Sequence, residues 1–520
     1  LWIAETVDYP NDVREGTGND TIKILEDTDN DGKADKVTVF AEGLNIPTSL
    51  TFWDGGVIVA QAPDFLYLKD EDGDDKADRR EVLFTGWGIR DTHAGPSNLR
   101  YGLDNWIYGA VGYSGFKGVV GNEPLGFSSG IFRFRPDGSK MEFLYQFNNN
   151  TWGLGLNEVG DIFGSTANSN PAFHGAIPAT IYSEGRPGFS AEMIANDATF
   201  HPITPNIRQV DVFGGYTAGA GFAIATSANF PLSMRNRTAF LCGPTGNLLG
   251  TFELSVSDSR YRAKNQFAFL ASADEWFSPV AAEVGPDGNL WVADWYNFII
   301  QHNPTPSPER GGYKGTQGIG NAHENPNRDK QHGRIYRAIW NEAKPSTITS
   351  LAGADTATLI NALASDNQFW RLTAQRLIVS GNHEDAAPAL RNVVAGGNRL
   401  AAIHALWSLE GLGELDTDTH QLALLNPDTD LRRNAIRAIP TDAAGRQLLF
   451  DTAAMTSDNP AVRLAAIIKL AHFSKDEAIG LAVEQLMLSQ ENRSDERILS
   501  VLQAAAKTQG VSGPAVYGPN

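Results

Sequence analysis

The residues best suited to chemistry in this sequence are carboxylates at alternating positions of a loop that occurs twice. The segment DTDNDGKAD at residues 27–35 returns as DEDGDDKAD at residues 70–78, 43 residues later. Calcium prefers several oxygen ligands, and alternating carboxylates on a sharp turn supply them. We therefore predict two calcium sites whose ligands are side-chain or backbone oxygens of Asp27, Asp29, Asp31, Lys33 and Asp35 in the first loop and of Asp70, Asp72, Asp74, Lys76 and Asp78 in the second.

Neither acidic loop is a complete EF-hand. Thr38 stands where an EF-hand has its bidentate glutamate, and Asp75 in the second copy replaces the turn glycine Gly32 of the first. The alternative is a solvated acidic turn without a metal. Because each loop lies between two short strand-like runs, we expect both loops at the rim of the fold, in a structural role.

A second group of residues surrounds His93 in the tract DTHAGPSNLRYGLDNW. A histidine in a loop that enters a strand can act as a general base near neutral pH. Asn98 and Arg100 follow closely and could orient or bind an anionic group, while Asn150 and Trp152 lie at the entrance of another predicted strand. The alternative for His93 is a hydrogen-bonded loop histidine without a catalytic role.

A third group lies on a long loop that follows the strand LWVAD at 290–294. Aromatic side chains beside amides and cations on such a loop are typical of a binding surface. The alternative is a well-packed irregular loop. The candidates for contact with substrate are Asp294, Trp295, Tyr296 and His302, and those for contact with a cofactor or an anionic group are Lys330, Arg334 and, earlier in the chain, Arg208.

Composition limits the classes of partner and the location of the protein. The net charge of −19 over 520 residues argues against nucleic acid as a partner, because phosphate binding needs a basic surface. A single cysteine, Cys242, excludes an intrachain disulfide bond. We find no apolar run long enough to span a membrane and no signal peptide. Since such loops often need the higher calcium concentration outside the cytoplasm, we expect a periplasmic or secreted protein.

Residues 1–340 are predicted to form a six-bladed β-propeller, because short hairpins recur along them. Four hairpin phrases with tight Asp-Gly, Asp-Asn or Gly-Asp turns begin near residues 46, 95, 150 and 277, and a weaker fifth lies near residue 220. LWIAE at the start matches LWVAD, so the first blade is expected to be incomplete at its N-terminal edge. HGRIYRAIW is expected to close either this blade or the last one. A β-sandwich explains the period of 43 residues less well.

Residues 346–507 are predicted to form an all-α, HEAT-like solenoid. Four related phrases contain Arg371, Arg399, Arg433 and Arg463, which are 28, 34 and 30 residues apart, the spacing of repeats that each comprise one helical pair. The Gly/Pro-rich segment 508–520 is expected to be an extended tail.

The phrases LWIAETVDYP, IKILEDTDNDGKAD, THAGPSNLRYGLDNW, NNNTWGLG and DKQHGRIYR resemble a family of membrane-bound dehydrogenases that is abundant in planctomycetes and verrucomicrobia. More distantly, the propeller is similar to glucose/sorbosone dehydrogenases, which use pyrroloquinoline quinone (PQQ) and calcium. This resemblance implies that His93 is the base that takes a proton from a sugar hydroxyl while hydride passes to the quinone. The arginine of the Arg-Asn-Pro-x-Gly motif and the Glu-His-Gly-Pro stretch of those enzymes are both absent, with residues 149–153 and 166–169 in their places.

The function that the resemblance implies is an extracytoplasmic, quinoprotein-like dehydrogenase that oxidises a sugar or a related alcohol or aldehyde. Because the sequence contains no Cys-x-x-Cys-His haem motif, electrons are expected to pass to a separate acceptor such as a cytochrome c, with the helical repeats as the docking surface. The alternative is a non-catalytic, calcium-stabilised scaffold of propeller and HEAT-like repeats that binds carbohydrate or protein.

Overall fold

The computed structural model of the chain describes residues 1–11, 17–29, 31–147, 149–182, 191–207, 209, 213–257, 260–300, 316–317, 323–324 and 327–511. Within these residues, six antiparallel sheets of three or four strands are followed by eleven α-helices. This arrangement confirms the prediction of a six-bladed propeller followed by an all-α region.

The first three blades come from the first 146 residues, and the third blade also carries a separate two-stranded hairpin. Their strands are β1 (Trp2–Glu5), β2 (Asp20–Glu26) and β3 (Lys36–Leu44) in blade one; β4 (Ser49–Trp53), β5 (Gly56–Gln61), β6 (Asp64–Lys69) and β7 (Arg79–Thr85) in blade two; and β8 (Pro96–Tyr101), β9 (Ile107–Val111), β12 (Gly130–Phe134) and β13 (Met141–Gln146) in blade three, with β10 (Phe116–Val120) and β11 (Glu123–Phe127) as the hairpin.

The last three blades follow the same order, and a second short hairpin lies within the sixth. Their strands are β14 (Thr151–Leu156), β15 (Ile162–Thr166), β16 (Phe173–His174) and β17 (Glu192–Met193) in blade four; β18 (Ala220–Ile224), β19 (Thr238–Gly243), β20 (Leu248–Ser257) and β21 (Arg260–Ala271) in blade five; and β22 (Pro279–Val284), β23 (Leu290–Asp294) and β26 (Arg334–Ala338) in blade six, with β24 (Thr316–Gln317) and β25 (His323–Glu324) as the hairpin.

The predicted hairpins and the incomplete first blade are present. In the turn between β4 and β5, Asp54 and Gly55 both have positive φ, of 46° and 71°, as a tight two-residue hairpin requires. Blade one contains three strands, and β1 takes the position that its match β23 has in blade six. Since β26 pairs with β23, HGRIYRAIW closes the last blade and not the first.

The propeller has two faces with different connections. The face that we call the funnel face carries the loops that enter the first strand of a blade, such as residues 86–95, and those that join second to third strands, such as residues 295–300. The opposite face, which we call the docking face, carries the turns between first and second strands, such as residues 102–106 and 157–161. It also carries the connections between third and fourth strands.

The helical region begins at Thr356 and runs through paired helices to Gln509. Each of the longer helices begins at an Asp or Asn whose side chain accepts a hydrogen bond from a backbone N–H of the first turn, which satisfies donors that would otherwise lack a partner. The helices are α1 (Thr356–Ala362), α2 (Gln368–Ser380), α3 (Ala387–Val394), α4 (Arg399–Leu412), α5 (Thr417–Leu424), α6 (Thr429–Ala438), α7 (Ala443–Asp451), α8 (Pro460–Ala471), α9 (Glu477–Leu488), α10 (Gln490–Ser494) and α11 (Glu496–Gln509).

The helical region packs on the docking face of the propeller. Leu103 and Val159, in the turns of blades three and four, belong to the same buried apolar cluster as the helices. Polar groups complete the contact: Gln375 on α2 donates to the carbonyl of Leu103 at 2.7 Å, and Arg371 pairs with Glu158 at 2.5 Å. The helices therefore cover this end of the propeller, and the funnel face lies at the other end.

A buried carboxylate anchors this contact. Asp161, in blade four, is 3% exposed and pairs with Arg433 and Arg437 on α6. The hydroxyl of Tyr261 donates to it at 2.8 Å. Burial raises the pKa of Asp161, but the two guanidinium groups more than offset this effect and hold it well below its ordinary value. Asp161 is therefore ionised at neutral pH.

We expect the protein to lose stability between pH 6.5 and pH 4, because His174 is buried beside this cluster. Burial lowers its pKa from 6.5 to about 4, although the charge of Asp161 acts in the opposite direction. Below pH 6.5 the unfolded chain takes up a proton that the folded chain does not. His174 alone should therefore remove about 2 kcal/mol of the free energy of unfolding at pH 5. Urea denaturation at pH 7, 6 and 5 measures the loss.

His174→Phe is the matched control for this pH dependence. A phenyl ring can keep the ring contacts that His174 makes with Phe163 and Tyr261, at 5.3 and 4.7 Å between centroids, but it has no proton to bind. The variant should show a smaller fall in stability between pH 7 and pH 5. An equal fall in both proteins would assign the acid sensitivity to other groups.

Candidate active site on the funnel face

His93 lies in the funnel-face loop between β7 and β8, where a carboxylate holds it. The backbone N–H of His93 donates to Oδ1 of Asp91 at 2.9 Å, and its Nδ1 lies 3.4 Å from the same oxygen. The His93 side chain is 11% exposed. A carboxylate beside one ring nitrogen fixes the orientation of the imidazole and stabilises its protonated form. The arrangement suits a base that takes up a proton and later releases it.

Loops from the first and the last blade of the propeller meet over His93. Tyr9, which follows β1, has its ring centroid 5.1 Å from that of His93 and 5.1 Å from that of Trp295, which follows β23. The guanidinium carbon of Arg328 lies 5.9 Å from the Tyr9 ring centroid, and this group hydrogen-bonds the Tyr9 hydroxyl. We call Tyr9, Asp91, His93, Trp295 and Arg328 the His93 cluster.

Tyr9 and His93 differ in whether they can act as a base at neutral pH. Burial raises the pKa of Tyr9 far above its ordinary value, and the positive charge of Arg328 offsets only part of this effect. Tyr9 therefore keeps its proton at neutral pH and cannot serve as a base. In this cluster the imidazole of His93 is the group whose ordinary pKa lies near neutrality.

Asn150 connects the His93 loop to the next blade. Its Oδ1 accepts the backbone N–H of Tyr113 at 3.1 Å, and its Nδ2 donates to the carbonyl of His93 at 3.4 Å. Asn150 thus supports the backbone of the candidate base. Trp152 contributes its carbonyl, which accepts a hydrogen bond from Asn98 at 2.5 Å. Asn98 and Trp152 therefore join blades three and four.

Arg100 spans the central channel as a brace between blades. Its Nε donates to the carbonyl of Leu154 at 3.0 Å, and its two terminal nitrogens bond the carbonyl of Ala282 at 3.3 Å and Glu283 at 3.0 Å. All three nitrogens of the guanidinium group are thus occupied by protein oxygens. This contact holds blades three, four and six together at the axis, and we do not include Arg100 in the candidate site.

The residues after β23 divide between support and surface. Asp294 is 2% exposed, and its Oδ1 accepts the backbone N–H groups of Ser278 and Tyr296, both at 2.8 Å. Its carboxylate thus shapes the loop that carries Trp295 and Tyr296. Arg334 is exposed and stacks on Tyr296, and Lys330 is exposed on the same loop. Arg208 and His302 lie outside the described residues.

Two members of the His93 cluster, Tyr9 and Asp91, were not among the residues selected from the sequence. One signal for Tyr9 was present, because LWIAE and LWVAD occupy equivalent strands of neighbouring blades and Tyr9 and Trp295 follow them. The signal for Asp91 was its position two residues before His93, which permits a turn closed by the aspartate side chain.

The two acidic loops lie on the docking face, at the rim. In each loop three carboxylates can present oxygens within 4.8 Å of one another: Asp27, Asp29 and Asp31 in the first, and Asp70, Asp72 and Asp78 in the second. In the first loop Asp35 instead accepts the N–H and the hydroxyl of Thr28. In the second, Asp75 adopts a left-handed φ of 63° in the position of Gly32. Among the described residues these are the groups of three that could hold a metal, and neither is near His93.

The described residues of the funnel face supply few of the groups that would hold PQQ, which has three fused rings and three carboxylates. Arg100 is bound to protein oxygens, so among the proposed cations that the structure describes Lys330 and Arg334 are the exposed ones. Among the described residues, no group of acids that could hold a calcium ion lies on this face.

None of the described helices combines the length and apolar character needed to cross a lipid bilayer.

Comparisons with solved structures find proteins whose names describe different activities. The chain is similar to a PQQ-bound aldose sugar dehydrogenase from Streptomyces coelicolor, with 15% identity, coverage of 52% of this chain and 81% of that one, and a TM-score of 0.33. It is also similar to the soluble apo-form aldose sugar dehydrogenase from Escherichia coli, with 11% identity, coverage of 56% of this chain and 96% of that one, and a TM-score of 0.31. A luciferin-regenerating enzyme has 10% identity, coverage of 66% of this chain and 97% of that one, and a TM-score of 0.34.

None of the curated proteins matches the chain. A family model described as a domain of unknown function, DUF7133, matches residues 1–342, which include every strand of the six blades and the whole His93 cluster. The chain belongs to this family, DUF7133.

Proposed function

We propose that the chain is a dehydrogenase of the sugar-oxidising type, with the funnel face as its active site and His93 as its general base. The observation that carries the proposal is the His93 cluster. In it Asp91 orients the imidazole, Tyr9 packs on it, and the half-buried indole of Trp295 packs against Tyr9. Because the helices cover the docking face, a substrate would enter from the funnel face.

In the proposed reaction the hydroxyl of a sugar, or of a related alcohol or hydrated aldehyde, gives its proton to the His93 imidazole. An oxidant of the quinone class, if bound beside His93, would accept the hydrogen of the adjacent C–H bond as hydride while that bond breaks and a C=O bond forms. Asp91 stabilises the imidazolium that results. The electrons would then pass to a separate acceptor such as a cytochrome c, and the protein would work in the periplasm or outside the cell.

Dye reduction tests the proposed dehydrogenase activity. Purified protein is incubated with calcium, with and without PQQ, and then with glucose, other aldoses and sugar alcohols in the presence of an electron-accepting dye. The proposal expects sugar-dependent dye reduction with at least one substrate. No reduction with any member of the panel, with PQQ present or absent, would refute it.

The second candidate function is a non-catalytic scaffold that binds carbohydrate or protein. One observation favours it: Arg100, a candidate for contact with a cofactor, is engaged as a brace between blades. A scaffold would bind carbohydrate without reducing dye. Saturable sugar binding together with absent turnover would therefore select this function over the dehydrogenase.

We also propose that each acidic loop binds one calcium ion in a structural role. Removal of calcium with a chelator should lower the melting temperature, because an ion that binds only the folded chain at 100 times its dissociation constant adds about 3 kcal/mol to the free energy of unfolding. The measurement is thermal unfolding with EDTA and after calcium is restored. Asp29→Asn/Asp72→Asn is the matched variant, and it should respond little to either treatment. A melting temperature that EDTA leaves unchanged in the wild type would contradict calcium in these loops.

A further inference from the structure

Blade six carries a group of aromatic and charged side chains on the funnel face that the proposed reaction does not use. We call Asp274, Trp276, Tyr296, Phe298 and Arg334 the blade-six ridge. The ring centroid of Trp276 lies 5.9 Å from that of Tyr296 and 5.5 Å from that of Phe298. All three rings are half-buried, so each is held by its neighbours and still reaches the surface.

A charged pair lies against this row of rings. The guanidinium carbon of Arg334 is 3.6 Å from the Tyr296 ring centroid, and its Nη1 is 3.5 Å from Oδ2 of Asp274. Oδ1 of Asp274 accepts the backbone N–H of Trp276 at 3.0 Å, so the acid and the indole belong to one turn. The side chains of Arg334 and Asp274 are 44% and 38% exposed. Water or a ligand can therefore reach both a donor and an acceptor beside Trp276.

At the opposite end of the same blade, a tryptophan, an aspartate and an arginine are also grouped together, but their polar groups bond one another. There the indole Nε1 of Trp291 donates to Oδ1 of Asp287 at 2.9 Å, and Arg337 lies 5.4 Å from the Trp291 ring. For Trp276, by contrast, the part of the chain that the structure describes provides no acceptor for the indole N–H. Trp276 therefore keeps a hydrogen-bond donor for a ligand, while Trp291 does not.

The backbone beneath the ridge is also unusual. Tyr296 has φ of 50°, a left-handed conformation that bulky residues rarely adopt, and its N–H bonds the buried carboxylate of Asp294. Such strain persists only where the surrounding structure enforces it, and it occurs preferentially at binding sites. In this loop the left-handed backbone turns the Tyr296 ring towards Trp276 and Arg334. Trp295 precedes Tyr296 in the chain.

We infer that the blade-six ridge is a carbohydrate-binding subsite, and that the substrate is an oligosaccharide or the end of a polysaccharide. A pyranose ring presents an apolar C–H face and a rim of vicinal hydroxyls, which match an aromatic surface flanked by a planar donor and a carboxylate acceptor. Trp295 joins the ridge to the His93 cluster through Tyr9. One sugar unit would lie at His93 while later units of the same chain lie along the ridge. This inference rests on the proposed function only in taking carbohydrate as the ligand.

Calorimetric titration of the whole chain with glucose, maltohexaose and cellohexaose tests the subsite. The wild type should bind at least one hexasaccharide more tightly than glucose. Trp276→Ala should weaken that hexasaccharide about tenfold, the loss of roughly one aromatic contact, and leave glucose unchanged. Trp291→Ala is the matched control and should bind like the wild type. If Trp276→Ala does not fold, Arg334→Met replaces it, with a loss in the same direction.

Two results would overturn the subsite: a hexasaccharide that binds no more tightly than glucose, or a folded ridge variant with wild-type affinity for it. The titration needs no turnover, so it is independent of the dehydrogenase assay. His93→Gln should retain the preference for hexasaccharide. If dye reduction fails while the chain-length preference depends on Trp276, the subsite stands and the reaction assigned to His93 falls.

Discussion

Asp161→Ala should destabilise the protein by about 3–5 kcal/mol, the cost of removing one partner from a buried ion pair and leaving the other charged. The carboxylate is 3% exposed and is the shared partner of Arg433 and Arg437. Without it, two guanidinium groups would remain at a closed contact between propeller and helices. The free energy of unfolding from urea denaturation at pH 7 measures the change.

Glu81→Ala provides the comparison for Asp161. Glu81 pairs with Arg79 at 2.8 Å, but both side chains are about half exposed, at 51% and 42%. An exposed pair of this kind contributes little to the free energy of unfolding, because water and salt screen the two charges. If Asp161→Ala loses no more stability than Glu81→Ala, the contact between propeller and helices does not depend on this anchor.

His93→Gln should lower kcat by about a hundredfold to ten-thousandfold, the usual contribution of a general base. Glutamine keeps a polar side chain of similar length but cannot take a proton at neutral pH. Asp91→Asn should reduce kcat less and shift the acid limb of the pH–rate profile to lower pH, because the imidazolium loses its carboxylate neighbour and His93 becomes a weaker base. Steady-state dye reduction from pH 5 to pH 9 measures both effects.

His201→Gln is the control for the His93 variants, since His201 is exposed and lies outside the His93 cluster. It should leave kcat unchanged. A His93→Gln variant with wild-type kcat would remove the base from the proposal. Loss of activity accompanied by a large fall in melting temperature would instead show that His93 acts through the fold.

The architecture of the propeller could be predicted because its signals are local. Blades two, three, four and six each contribute a hairpin whose turn residues are visible in the chain, as at Asp54–Gly55, and the doubled acidic loop sets the period. The helical region was equally visible through its repeated arginines. The contacts of these arginines with the propeller could not be predicted, because Arg371 and Arg433 pair with acids in a turn of blade four that lies more than 200 residues earlier in the chain.

The candidate site was predictable only in part, because its members come from blades that are far apart in the sequence. His93 could be found as a titratable residue at a strand entrance. Its contact with Tyr9 depends on how the first and last blades close, which no local pattern records. Arg100 was misleading for a similar reason: a long side chain near the axis can cross the channel and bond another blade instead of a ligand.

The acidic loops and the reactive centre are separate, as their places in the fold show. The loops connect outer strands on the docking face, while His93 lies in a loop on the funnel face. The loops are the clearest motif in the sequence and gave the period that located the other blades. Their proposed contribution is to stability alone.

The central claim is that a sugar binds at His93 on the funnel face, and the histidine signals in NMR spectra test it most directly. Protein with labelled histidines is titrated with the sugar that reduces dye best, or with maltohexaose if none does. The signal that is absent in His93→Gln identifies His93. We predict that this signal moves on saturation, while those of His174 and His404, which are buried away from the funnel face, stay in place. A sugar that binds without moving the His93 signal would contradict the account.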